Sequence, residues 1–128
     1  MLRRYTVYAV AALLTVFGAY LFGSAAYINA KGWVAQVLLE RAWTERLQGY
    51  AYRDAKPWPW ADTAPLARLS VPRLDIDQIV LIGASGRVLA FGPAHLSGTA
   101  LPGDLGHSVI TGHRDRHFKF LKDLRPDD

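Results

Sequence analysis

The side chains best suited to moving protons gather in one stretch, SVITGHRDRHFKFL, residues 108–121. A β-branched run, Val109 to Thr111, stops at Gly112, and His113 and Arg114 follow at once. Glycine lets the backbone turn sharply and leaves open the space beside the next side chain. An imidazole presented there titrates near neutrality and exchanges a proton with a bound group. Arg114 carries a permanent charge suited to an oxyanion or carboxylate, although successive strand residues point opposite ways. Asp115 is placed to neutralise Arg114 or Arg116 at the surface. On residue types alone, the plainer description is a satisfied strand-end histidine beside a solvated charge cluster, because short motifs recur by chance.

Metal chemistry is a second reading of the same residues. His113 and His117 stand at i and i+4, with His107 and Asp115 nearby. Two such histidines on a helix can share a zinc ion. Here, however, His113 follows a strand and a glycine, and no glutamate stands within the pair as in zinc peptidases. The chain contains no cysteine. It therefore offers no disulfide, no thiolate ligand and no thiol nucleophile.

The elements that must position these residues begin with an apolar segment. No charged residue occurs from Tyr5 to Ala30, and a bilayer core needs about 20 such residues in a helix. Arg3 and Arg4 precede the run, which favours a cytoplasmic N-terminus with the remainder across the membrane. The small residues at 24–26 allow a cleaved signal peptide instead, but the apolar run exceeds the usual ~7–15 residues of such a segment. Residues 1–30 are thus read as a transmembrane anchor. Residues 31–50 read as a juxtamembrane helix, with Arg41 and Glu45 spaced for an i,i+4 pair; a surface helix of the globular domain fits the pattern equally. The excess of 15 Lys plus Arg over 11 Asp plus Glu forms no basic stripe interleaved with aromatics, so no nucleic-acid partner is expected.

Three prolines in residues 54–65 end helical order, and residues 51–65 read as a Pro-rich linker. From Leu66 the pattern turns β-like. LARLSVPRL carries a strand ending near Pro72, and IDQIVLIG, residues 76–83, a second strand closed by Gly83. A short helical turn after Ser85 is expected next. Residues 92–107 hold four glycines and two prolines and read as loop. A third strand precedes Gly112, and residues 117–124 read as a short amphipathic helix with Phe118 and Leu121 facing the core.

A longer pattern resembles the sortase family. Its members carry a G-x-G-H-x-x-G-T-x-x-P loop followed by a strand ending T/A-G-H-R. The corresponding residues here are Gly92, Pro93, Ala94, His95, Gly98, Thr99 and Pro102, then Thr111, Gly112, His113 and Arg114. VPRLDIDQIVLIGAS is similar to the family's first two strands, and Ala94 departs from a common glycine. The anchor, the Trp-containing helix and the GHRDRHF ending resemble the class GN (marine proteobacterial) sortases.

What the resemblance implies is a closed eight-stranded β-barrel that cuts an LPxTG-like C-terminal sorting signal of a secreted protein. A cysteine thiolate forms a thioacyl intermediate, and an amine nucleophile resolves it. His113 takes the place of the catalytic histidine, whereas His95, His107 and His117 are read as loop residues. No cofactor and no metal are implied. The family's cysteine and oxyanion-stabilising arginine lie on late strands, and Arg114 and Arg116 are too close in sequence to His113 to be that arginine.

The expected chain is therefore mainly β: an incomplete sortase-type barrel over residues 66–128, behind the anchor and juxtamembrane helix, truncated before the cysteine and inactive alone. It is expected as a single-pass protein of the inner membrane, in contact with lipid and with its globular part in the periplasm. Two alternatives stand beside this one: a non-catalytic, membrane-anchored interaction module using exposed β edges, and a histidine-metal hydrolase.

Overall fold

The computed structural model describes residues 2–128, with side chains from residue 4 onward. Its first element, α1, runs unbroken over Leu2–Leu47, so the two helical segments read from the sequence are one helix. The chain divides into two units, Met1–Val34 and Ala35–Asp128. In the first, the described part is helix alone, with large apolar side chains such as Leu13, Phe17 and Phe22 exposed along it. Among the described residues, α1 is the one helix long and apolar enough to cross a membrane.

In the second unit the remaining turns of α1 become part of a core. Ala35, Leu39 and Ala42 are buried and share one helical face by their i, i+4, i+7 spacing. Val37 and Leu47, on other faces, stay exposed. Residues 35–47 therefore behave as a surface helix of the globular unit. Leu39 clusters with Ile79 and Leu81 of a central strand, with Val88 and with Ala94, and Trp43, Leu89 and Phe91 border the cluster.

The sheet has four strands in the order β1 (Pro65–Val71), β2 (Ile76–Ile82), β3 (Ala94–His95) and β4 (Ile110–Thr111). β1 and β2 form an antiparallel hairpin, joined by a 3₁₀ turn over Pro72–Leu74 and by Asp75 in the left-handed region. Proline suits the strand start, where it withholds no interior ladder bond, and a bulge follows between Pro65 and Ala67. On β2, Ile79 and Leu81 face the Leu39 cluster. Val80 points the other way and is also buried, so this part of β2 is covered on both faces.

Arg68 of β1 ties the hairpin to α1. Its guanidinium bonds both oxygens of Asp77, the diagonal neighbour on β2, and both oxygens of Glu40. The Asp77 carboxyl is held below the usual carboxylate range, first by that hydrogen bond and further by the guanidinium's charge.

The proline-rich stretch between α1 and β1 is itself packed. Ala55, Pro57, Ala61, Thr63 and Ala64 are buried, and Trp58 stands edge-on to Phe91 at 5.0 Å. Thr63 Oγ1 donates to the Ile82 carbonyl at 2.7 Å, and the Ile82 N–H donates to the Ala64 carbonyl at 3.0 Å.

Two expectations need correction. Residues 92–107 are not wholly loop, because Ala94 and His95 pair parallel with β2 and antiparallel with β4. Gly92 permits this approach: a Cβ there would come within 3.1 Å of the Ile79 carbonyl oxygen. In the last segment, a 3₁₀ helix over Lys119–Asp123 buries Phe120, while Leu121 is 51% exposed. His117 precedes this helix in a turn and, like Phe120, is buried.

The mainly β character holds only in part, since α1 has 46 residues against seven each for β1 and β2. The sheet is open rather than a closed barrel, with β1 and β4 at its ends.

Candidate functional site

β4 ends at Thr111, and the chain then closes on itself. The His113 carbonyl accepts the N–H of His117 at 2.8 Å, of Phe118 at 3.2 Å and of Arg116 at 3.3 Å. The His113 N–H in turn donates to Nδ1 of His117 at 3.3 Å. Residue 113 is therefore held through both its carbonyl and its N–H, while its side chain is exposed. Gly112 makes the turn possible. A Cβ there would lie 3.0 Å from Phe118 Cε2 and 3.1 Å from both Cβ and Nδ1 of His117.

The two imidazoles stand 5.6 Å apart between ring centroids, in different environments. His117 is 6% exposed, and its carbonyl accepts a 2.9 Å bond from Nε2 of Gln78 on β2. Burial pushes the His117 imidazole below its ordinary pKa, and the positive charges of Arg116 and His113 add to the effect. Neutral His117 has an unprotonated Nδ1 that accepts the His113 N–H, so its proton sits on Nε2.

The neighbouring cations do not converge on a focus. Arg114 pairs with Asp115 at 3.1 Å, both about nine-tenths exposed, an arrangement of little energetic weight. His95 is buried in β3 and acts as a brace. Its Nε2 lies 2.8 Å from the Ala100 carbonyl and 2.9 Å from Thr99 Oγ1. Thr99 Oγ1 donates to the Leu96 carbonyl and accepts from Val109 N–H, so Nε2 of His95 carries the proton and donates to Ala100. These bonds hold the 96–109 excursion against β4. His107 is exposed. Among the described residues, no three His, Cys, Asp or Glu side chains stand together as a metal site.

The structure thus joins His113 to His117 and leaves His95, His107 and Arg114 in other roles. His117 and Gln78 are the partners that sequence reasoning missed. The cleft of about 590 Å³ lined by Arg41, Glu45, Arg53, Lys56 and Trp58 includes no residue of the 92–118 segment. His113 is presented on open surface at the end of an edge strand.

Residues 69–128 match the family model described as Sortase domain. The match supports the sortase family and takes in β2, β3, β4 and the whole His113 turn. No curated protein matches the chain. Within the sortase-matching segment, Gly112 and His113 form the strand-end element whose geometry is described above, and the buried Ala94 fills the core where the resemblance led one to expect glycine.

Proposed function

We propose that this chain provides the anchor and the histidine-bearing part of a sortase-type cysteine transpeptidase of the class GN kind. It acts on an LPxTG-like C-terminal sorting signal of a secreted protein, from the periplasmic face of the inner membrane. The observation that carries the reading is His113: an exposed imidazole at a strand end, held by its own backbone, inside the sortase-matching segment.

In this reading a thiolate attacks the scissile carbonyl carbon, forming a C–S bond, and the C–N bond breaks as His113 gives its proton to the leaving amine. An incoming amine then loses its proton to His113, forms the new C–N bond, and releases the thiolate. The chain has no cysteine, so in this reading the thiol is supplied by residues outside these 128, and the resemblance assigns the oxyanion-stabilising arginine to the same late strands. The open sheet fits that division, because β4 has a free outer edge beside His113 among the described residues.

The test is cleavage of a fluorogenic LPxTG-type peptide. The 128-residue chain is expected to be inactive, and joining it to a cysteine-bearing segment read from the adjoining coding frame is expected to give turnover. Specific cleavage by the chain alone, abolished by His113→Ala, contradicts the chemistry. Those free edges favour a second reading, a membrane-anchored interaction module. It requires the 128-residue chain to be folded and monodisperse on its own, and to stay without turnover when joined to such a segment.

A further inference from the structure

We propose that His117 is a positioning residue for His113: its buried imidazole accepts the His113 backbone N–H through Nδ1 and so fixes where the exposed imidazole is presented. The role rests on the reading of His113 as the acid–base.

Four features of the turn support it. The bond itself spans 3.3 Å and joins the side chain of one histidine to the main chain of the other. Gln78 bonds the His117 carbonyl from β2, so the main chain that carries the accepting ring is tied to the strand running through the core. Gly112 leaves room for the His117 ring where any Cβ would press on Nδ1. The His113 carbonyl closes the same turn by accepting the His117 N–H at 2.8 Å. The arrangement works like a reciprocal helix cap, in which a side chain reaches back to an orphan N–H at the start of a turn.

Chemistry divides the two rings accordingly. An acid–base group must be able to gain and lose a proton, and His113 is open to solvent. The accepting ring must stay neutral, because a protonated Nδ1 would set one N–H against another. Burial favours the neutral form of His117, as the downward shift of its pKa reflects. Arg116 and His113 are the charged or titratable groups acting on it, and Gln78 from β2 is neutral.

The experiment uses the 128-residue chain in detergent micelles and three sequences: wild type, His117→Asn and His117→Leu. In wild type, ¹⁵N spectra of the imidazoles should show His117 with protonated Nε2 and unprotonated Nδ1. Asparagine keeps an acceptor oxygen near the place of Nδ1, whereas leucine fills the space without one. Amide exchange at His113 is expected to speed up roughly 2- to 12-fold in His117→Leu, the range of one net hydrogen bond, and to return toward wild type in His117→Asn. Amides of β2 should stay unchanged in both.

A His117 protonated on Nδ1 in wild type overturns the proposal without requiring any variant to fold. Equal exchange at His113 in all three sequences overturns it too. Neither readout depends on turnover, so failure of the clamp is separate from failure of the acid–base role. That second failure would appear as full cleavage by His113→Ala in the cysteine-containing enzyme.

Discussion

Replacing Gly112 with alanine tests the turn where it is tightest. The new methyl would stand 3.0 Å from Phe118 Cε2 and 3.1 Å from Cβ and Nδ1 of His117. Carbon contacts are most favourable at about 3.5–4.0 Å, so the His117 ring and the Phe118 ring must each withdraw by roughly 0.5 Å. His117 is buried, its carbonyl is held by Gln78, and Phe118 is tilted against Phe120 at 6.2 Å between centroids. Overpacking of this kind costs about 1–3 kcal/mol. Against it, alanine restricts the unfolded chain and returns about 0.4–1 kcal/mol. The net expectation is a loss of about 0.5–2 kcal/mol. For a domain of this size that lowers Tm by roughly 4–8 °C per kcal/mol. Gly86→Ala is the control, since nothing lies within 4 Å of its Cβ position; it should be neutral or stabilising by up to about 1 kcal/mol. Thermal unfolding of both variants, followed by near-UV circular dichroism in the same detergent, is the assay. Gly112→Ala matching or exceeding the stability of Gly86→Ala would refute the packing described for the turn.

Three further outcomes are expected. Leu39→Ala removes a side chain that is 1% exposed in the core cluster and should cost about 2–5 kcal/mol in denaturant unfolding; a change under ~0.5 kcal/mol would place α1 outside that core. Stability should fall on acidification, and His117 fixes the first part of the window. Its folded pKa lies below the unfolded value of about 6.5, so the unfolded chain binds the proton more readily; the contribution is present above about 6.5 and is lost as pH drops toward the folded value. Asp128, held down to about 2 by its hydrogen bond with Arg73, adds a second decline below about 4. Midpoints measured from pH 7 to 5 should therefore slope for wild type and flatten in His117→Asn, and identical slopes would remove His117 as the source. Residues 5–28 should remain in the membrane-inserted protein, leaving the remainder open to protease on spheroplasts; a protected C-terminal part would reverse the orientation.

The sequence was most readable where local chemistry and tertiary packing agree. The uncharged run from Tyr5 to Ala30 implies a long apolar helix, and the hairpin of β1 and β2 follows from two short, largely apolar runs ended by Pro72 and Gly83. Ser85 does accept the Val88 N–H at the start of its short turn. Reading failed where a few long-range bonds outweigh composition. Ala94 and His95 are flanked by glycine and proline, yet Leu81 N–H donates to the Pro93 carbonyl and draws the segment beside β2. No periodicity marks a strand two residues long. Likewise Phe118 and Leu121, three apart, would share a side in a helix of either kind, so spacing alone did not show that Phe120 is the buried residue. Near the proposed site, the strand-end placement of Gly112 and His113 was legible because strand, glycine and imidazole are adjacent in sequence. His117 read as a loop residue because its acceptor role exists only once the turn closes, and Gln78 lies 39 positions away on another strand.

Peptide cleavage by His113→Ala in the cysteine-containing enzyme, with thermal unfolding measured on the same preparation, tests the acid–base role of His113. An exposed side chain at a strand end contributes little burial, so Tm should stay within a few degrees of wild type. Turnover should fall by roughly 10²–10⁴, the range for losing a general acid–base. Wild-type turnover by a folded His113→Ala enzyme would exclude His113 as the acid–base.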